Sequence, residues 1–346
     1  MPTHPLLAMA RSAGNPIIDK ETITFLWQGK TAPHLLDDSH NWEENPQELQ
    51  RIANELWSFS MPIAEDGYLE YAFQDPVTGK RLPDPLNPDH IWNGISNYNH
   101  YFYMPMARPS PLIQPVATNA KGKVTRLQIP TREYATGLKR TVYLYQPPVT
   151  TPVPLVVVYD GPDYLKRANL NVIVDNMIAA NRVRPFAMAL VENGGTARNL
   201  EYSCSDATLG FVFDCVIPLA QEHLILTPPG GEPYGIVGAS MGGLMALYTG
   251  IRMPRVFGKV LSQSGAFTLL EHERVILDLV KYFPVSPIDI WMDTGRYEWL
   301  LEGNRQMYSL LKKKQYRVGY HEFSGGHNFT AWRDDLWRGL ETLFRY

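Results

Sequence analysis

Cysteine is nearly absent from this chain: Cys204 and Cys215 are the only two in 346 residues. That count excludes a disulfide framework, and two free thiols are the expectation. Charge of one sign is missing as well. With 32 basic and 35 acidic residues the net charge is -3, so there is no basic footprint and no nucleic-acid partner is expected. No apolar run reaches the length of a membrane-spanning helix, and residues 1–13 hold one arginine and a short apolar patch rather than a basic segment followed by a sustained apolar core. Neither membrane insertion nor export is expected, which makes the cytoplasm the expected location. Internal repeats and low-complexity tracts are absent too. What the chain does have is length and 45% hydrophobic residues, enough to bury a large core and, by size, to form two domains.

The two halves follow different patterns. Up to about residue 115 the sequence alternates in short stretches broken by polar turns. Residues 22–28 and 68–74 repeat apolar and polar positions at period two, the pattern of strands. Residues 77–80 read as a turn, and Asp84-Pro-Leu-Asn-Pro88 holds too much proline for a helix or a central strand. Short strands without a long helical run point to a β-sandwich. Pro105, Pro109, Pro111 and Pro115 then stiffen a linker, so the expected domains are 1–115 and 116–346. Beyond residue 120, strands are expected at 124–129, 141–145, 155–159, 186–191, 235–238, 260–263, 288–292 and 318–323. Helical spacing falls between most of them, at 168–180, 209–223, 241–251, 269–282, 297–313 and 330–344. Apolar runs such as Leu155-Val-Val-Val-Tyr159 suit strands covered on both faces, so the second half reads as a mixed, mostly parallel sheet flanked by helices.

Gly238-Ala-Ser-Met-Gly-Gly243 contains a GxSxG pentapeptide between an apolar strand and a helical run. A serine hydroxyl is a poor nucleophile without a base against it and amide groups to receive the oxyanion. A sharp strand-to-helix turn exposes Oγ beside the unpaired N–H groups of the helix N-terminus. The five letters alone are weak, since ordinary composition yields them by chance on the order of 0.1 times in such a chain. Their place after the fifth expected strand gives them weight, and Ser240 becomes the candidate nucleophile.

Its partners should follow in the order acid, then histidine. Of the histidines beyond the serine, His272 is flanked by Glu271 and Glu273 on an expected helix surface, and His321 alternates within a strand. His327 sits in Ser324-Gly-Gly-His-Asn-Phe329, a glycine loop at the carboxyl end of the last strand, where a ligand-facing base belongs. Two carboxylates compete for the acid, Asp293 near the end of the seventh strand and Glu298 in the loop beyond it. Glu298 is preferred for its reach, although a glutamate opening a helix is also an ordinary placement. The oxyanion hole takes the N–H of Met241 and a second from Asp160-Gly-Pro-Asp163, where Pro162 has no N–H. Gly161 or Asp163 must supply it, with Asp163 preferred.

Tyr159-Asp-Gly161, Arg198-Asn-Leu-Glu-Tyr202, the Ser240 elbow, Leu261-Ser-Gln-Ser-Gly265 and Gly325-Gly-His-Asn-Phe-Thr-Ala-Trp-Arg333 resemble, in order, the motifs of the esterase D family of α/β-hydrolases. The front half, with Phe25-Leu-Trp27, Trp42, Tyr68-Leu-Glu-Tyr71 and Asp84-Pro-Leu-Asn-Pro88, is similar to the early-set, immunoglobulin-like sandwich preceding the catalytic domain of enterochelin esterases. The resemblance implies a serine esterase with Ser240 as nucleophile, His327 as base and the family's acid at Glu298, needing neither metal nor organic cofactor. It implies a small-molecule ester substrate, from catecholate siderophore trilactones to the feruloyl and acetyl esters of relatives. An anionic catecholate would want cations, and Lys166, Arg167, Arg198 and Arg296 lie on loops of the active rim. Tyr164, Arg198 and Ser264 are the candidate substrate-binding residues, against which stands an internal Arg198–Glu201 ion pair. A reading of another class makes the sandwich a glycan-binding face of Trp42, Trp57, Trp92, Tyr98, Tyr101 and Tyr103, with aromatic core packing the favoured alternative.

Overall fold

A computed structural model of the chain describes residues 4–228, 231–268 and 273–346. It divides into two compact units. One comprises Met1–Pro109 with Gly295–Trp299 and Phe323–Ala331; the other comprises Ser110–Thr294, Leu300–Glu322 and Trp332–Tyr346.

The second unit is built on an eight-stranded sheet whose strands are β1 (Lys123–Pro130), β2 (Lys139–Gln146), β3 (Leu155–Val158), β4 (Ala187–Val191), β5 (Tyr234–Ala239), β6 (Phe257–Gln263), β7 (Asp289–Gly295) and β8 (Arg317–Phe323). Their spatial order is β1-β2-β4-β3-β5-β6-β7-β8. The β1–β2 and β2–β4 pairs are antiparallel, and β4–β3, β3–β5, β5–β6 and β6–β7 are parallel. All eight expected strands are present, which makes this an α/β-hydrolase-type sheet. Burial follows sequence: every residue of β3 to β6 is buried, as strands covered on both faces must be, whereas the edge strand β1 keeps its lysine end exposed. Chain order reverses around β3, and such a switch point opens the crevice at the carboxyl ends of β3 and β5 in which α/β proteins bind ligands.

Helices depart from the sequence reading in detail. The single run expected over 209–223 is Asp206–Phe211, a π-turn at Val212–Val216 and Ile217–His223. Pro218, which cannot donate inside a helix, is the second residue after that turn. Two short helices, Gly161–Lys166 and Arg198–Tyr202, occupy stretches read as loops. The helix expected from 297 begins at Leu301, so Glu298 stands before it in a loop. The helix expected over 269–282 is seen as Glu273–Tyr282; residues 269–272, His272 among them, lie outside the described residues. Among the described residues no single helix is long and apolar enough to cross a membrane.

The first unit carries two antiparallel sheets. One is ordered Ile17–Asp19, Thr22–Gln28, Leu56–Pro62, Gln50–Ala53; the other Gln47–Glu48, His34–Asp37, Tyr68–Gln74, Tyr98–Tyr103, His90–Trp92, with Arg81–Leu82 beside Tyr68–Gln74. Ile23 and Phe25 of one sheet share an apolar cluster with Leu35, Tyr71, Phe73 and Phe102 of the other. The strands read at 22–28 and 68–74 appear with those bounds, but Tyr68–Gln74 is buried up to its last residue, including Glu70. A helix at Pro5–Ala13, started by Pro5 and capped by His4 onto the Leu6 N–H at 3.3 Å, escaped the sequence reading. The aromatics of the alternative glycan-binding reading are mostly packed. Tyr101 and Tyr103 lie against Tyr68, and Trp42 and Trp57 donate to Asp38 and Gly29, while Trp92 and Tyr98 remain exposed as a mutual pair.

Candidate active site

In the second unit, β5 ends at Ala239 and Ser240 takes φ 57° and ψ -122° before the helix Met241–Arg252 begins. A positive φ on a non-glycine residue costs about 1–3 kcal/mol and persists only where the surroundings enforce it. Here they do: the Ser240 N–H donates to Gln263 O at 2.9 Å, and Ser240 O accepts from Leu244 and Ala266 N–H at 3.0 and 3.1 Å. A Cβ on Gly238 would run into the Gly242 carbonyl, so strand and helix approach this closely only because Gly238 has none. From Tyr234 to Ile251 only Ser240 escapes burial, and it is half-buried. Met241 N–H is the first of the N-terminal donors the helix itself leaves unused.

The loop after β3 lies beside this elbow because β3 and β5 pair in parallel, with Tyr159 N–H on Val237 O at 2.9 Å. Asp160 adopts φ 53° and starts the helix Gly161–Lys166. Its carboxylate accepts both Arg198 Nε and Nη2, at 2.7 and 2.6 Å, and Asn193 Nδ2 at 2.6 Å. Arg198 Nη2 also reaches Ala239 O at 3.3 Å, tying the loop to the strand that ends at the serine. Burial acts to lower the Arg198 pKa, but the bonds and charge of Asp160 carry it above its ordinary value. Gly161 is required where it stands, since a Cβ there would enter the backbone of Leu190 and Val191.

Several expectations are corrected here. Asp163 N–H donates to Asp160 O at 3.0 Å, closing the first turn of the short helix, so this donor is already engaged and Gly161 is the remaining one of the pair. Arg198 pairs with Asp160, not with Glu201; Glu201 instead takes Arg140 at 2.7 Å and Thr136 N–H at 2.8 Å. Tyr164 is fully buried with its hydroxyl on Gln263 Oε1 at 3.0 Å, and Ser264 is fully buried under Trp332 Nε1 at 2.8 Å. Both support the core rather than line an open surface. Of the other cations, Arg167 meets Asp163 at 3.5 Å, and Lys166 and Arg296 are exposed.

In the first unit, His327 Nδ1 and Glu298 Oε2 are 3.0 Å apart, with the Glu298 side chain wholly shielded from solvent. A carboxylate can only accept, so this contact places an imidazole proton on Nδ1. The competing acid, Asp293, lies fully buried on β7, where it accepts from Trp291 Nε1 at 3.0 Å. The two loops of the pair are laced together: Arg296 N–H donates to Phe323 O at 2.9 Å and Tyr297 N–H to Gly325 O at 3.1 Å. Trp299, missed in the sequence, sets its ring 4.6 Å from that of His327 and stays 40% exposed. Its only signal was adjacency to Glu298. Among the described residues no group of three or more His, Cys, Asp or Glu could hold a metal ion.

Comparison with known proteins places the chain in a family. The "Putative esterase" family model matches residues 134–343. The iron(III) enterobactin esterase of Dickeya dadantii (strain 3937) is 24% identical over 401 residues, covering 95% of this chain and 90% of that protein. A crystal structure of the enterobactin esterase from Shigella flexneri, obtained in the presence of enterobactin, superposes with a TM-score of 0.73 at 22% identity, over 93% of this chain and 92% of that one. The ferulic acid esterase of the anaerobic fungus Anaeromyces mucronatus superposes with a TM-score of 0.57 at 16% identity, over 68% of this chain and 96% of its own. Matched by the family model over more than half of its length, the chain belongs to this esterase family, is similar to the enterochelin esterases, and is a hydrolase of ester bonds.

Proposed function

We propose that Ser240 is the nucleophile of a serine esterase, His327 its general base and Glu298 the acid that orients the imidazole. The observation that carries this reading is the strained, half-buried Ser240 at a strand-to-helix elbow in a chain whose buried glutamate already holds a loop histidine by Nδ1. Ser240 Oγ attacks the ester carbonyl as His327 Nε2 takes its proton. The N–H groups of Met241 and Gly161 receive the oxyanion, and collapse of the tetrahedral adduct expels the alcohol with the proton from His327. Water then attacks the acyl-enzyme with His327 again as base. The chemistry is complete without a metal or an organic cofactor. The N-terminal segment 1–115 is read as an early-set, immunoglobulin-like sandwich preceding a hydrolase domain of 116–346, and the cytoplasm as its place of action.

The substrate class we infer is a catecholate siderophore ester of the enterochelin type, with or without its ferric ion. The relatives named enterobactin esterases support it through coverage of nearly the whole chain, N-terminal half included. Ser240→Ala tests the mechanism: hydrolysis of a short p-nitrophenyl ester should vanish while the circular dichroism spectrum stays unchanged, and near-normal turnover would refute the nucleophile. A panel of short acyl esters, feruloyl esters and a catecholate trilactone tests the substrate. Preference for the feruloyl ester over the trilactone would refute the siderophore reading.

A further inference from the structure

We infer that Asp38 is a positioning residue for His327, through which the N-terminal segment of the first unit fixes the base of the reaction. This rests on the reading of His327 as general base. Asp38 opens a tight turn directly after the strand His34–Asp37 and is 1% exposed. Its Oδ2 accepts the Glu70 N–H at 2.8 Å and Asn328 Nδ2 at 3.0 Å, and its Oδ1 accepts Trp42 Nε1 at 3.2 Å. Asn328 is the residue after His327. The residue before it, Gly326, lies so flush against Asp38 that a Cβ would enter the carboxyl group. His327 is thus flanked on both sides by neighbours resting on one buried carboxylate.

The orientation of Asn328 is set at its other end as well. Its Oδ1 accepts the Ala331 N–H at 2.9 Å, which caps the helix Phe329–Phe344 and leaves Nδ2 as the group that must face Asp38. The same loop is pinned one step earlier by Tyr68, whose N–H donates to Ser324 O at 2.9 Å and which bridges to Gly325.

The chemistry of Asp38 is expensive for a purely architectural group. Burial, and then the neighbouring Glu70 carboxylate, push its pKa well above the usual carboxylate range. Glu70 is itself buried, accepting from Tyr68 Oη at 3.1 Å and Asn99 Nδ2 at 2.8 Å. Two buried acids side by side do not favour folding, and well-packed apolar residues often do as well or better than buried charge. What an apolar residue could not do is accept Asn328 Nδ2 and so hold the orientation of the histidine loop. Misplacement of a general base by a fraction of an ångström is felt in the rate more than in binding.

The test uses the full chain. Asp38→Asn, which keeps shape but removes one acceptor, and Asn328→Ser, which keeps a capping oxygen but removes the donor to Asp38, are each assayed alone and together with Glu298→Gln. Hydrolysis of p-nitrophenyl acetate is measured well below each variant's melting temperature. Each single variant should lower kcat about tenfold or more with KM within about twofold, and the same change should cost less than about threefold in the Glu298→Gln background, because both act through one imidazole. A kcat within about twofold of the parent in both single variants, or equal losses in both backgrounds, overturns the inference. Should Asp38→Asn fail to fold, Asn328→Ser decides alone. Activity surviving in Ser240→Ala or His327→Ala would instead strike the catalytic reading, independently of this result.

Discussion

Replacing Glu298 by glutamine changes one atom of a contact that is 3.0 Å long and closed to solvent, and its effect can be worked out beforehand. As His327 takes the serine proton it becomes an imidazolium facing the Glu298 carboxylate, with charge centres about 4 Å apart. At an effective dielectric constant of about 20 such a pair is worth about 4 kcal/mol. At 1.36 kcal/mol per decade, that is about three decades in rate. Glutamine also presents an amide NH2 that favours the wrong tautomer, with the proton on Nε2, and in serine proteases the equivalent change lowers kcat about 10⁴-fold. Glu298→Gln should therefore lower kcat for p-nitrophenyl acetate by about 10³ to 10⁴ with little change in KM. Asp293→Asn, which alters a carboxylate bonded to Trp291, should stay within about tenfold of the parent once folding is verified by thermal melting. Initial rates across pH 6 to 9 provide the assay. If Glu298→Gln kept more than about a tenth of the parent kcat, or Asp293→Asn fell as far, the reasoning from the His327 contact would be wrong.

Two further outcomes follow from the site and the core. Gly161→Ala places a Cβ in the backbone of Leu190 and Val191, forcing the N–H of residue 161 away, and should lower kcat about 10²- to 10³-fold, whereas Asp163→Ala, whose N–H is already engaged, should not; full activity in the Gly161 variant would remove that donor from the oxyanion hole. Burial pushes the Cys204 thiol up to about 12, so at pH 8 about one molecule in 10⁴ carries its thiolate, against about one in four for an ordinary thiol. Ellman's reagent should leave Cys204 untouched in the native protein, with reactivity rising only as pH approaches that value, and fast labelling at pH 8 would contradict the burial.

Local pattern carried most of the architecture. The β3 to β6 runs are apolar because both faces are covered, and the serine elbow announces itself through glycines that a close crossing demands. What local pattern could not carry was the identity of partners. Arg198 has Glu201 three residues away yet bonds Asp160 across the fold, since the β3 loop and the helix Arg198–Tyr202 meet only when the sheet is assembled. Tyr164 and Ser264 were candidate substrate-binding residues, but Gln263 and Trp332 engage their hydroxyls from other elements. Glu70 sits at a polar position of an alternating strand and is nonetheless 2% exposed, because buried donors meet it from Asn99 and Tyr68. The preference for Glu298 over Asp293 rests on reach, and in the structure Glu298 contacts His327 while Asp293 accepts from Trp291.

Two of the points where the chain passes from one compact unit to the other lie within strands, at Thr294/Gly295 near the end of β7 and at Glu322/Phe323 at the end of β8. A front half whose packing includes two remote segments is not a cassette. Recombination at the proline-rich linker, in a laboratory or across generations, would move Met1–Pro109 without the loops that complete it and leave Glu298 and His327 without their setting. Chimeras that exchange the front half should therefore work only when Gly295–Trp299 and Phe323–Ala331 travel with it.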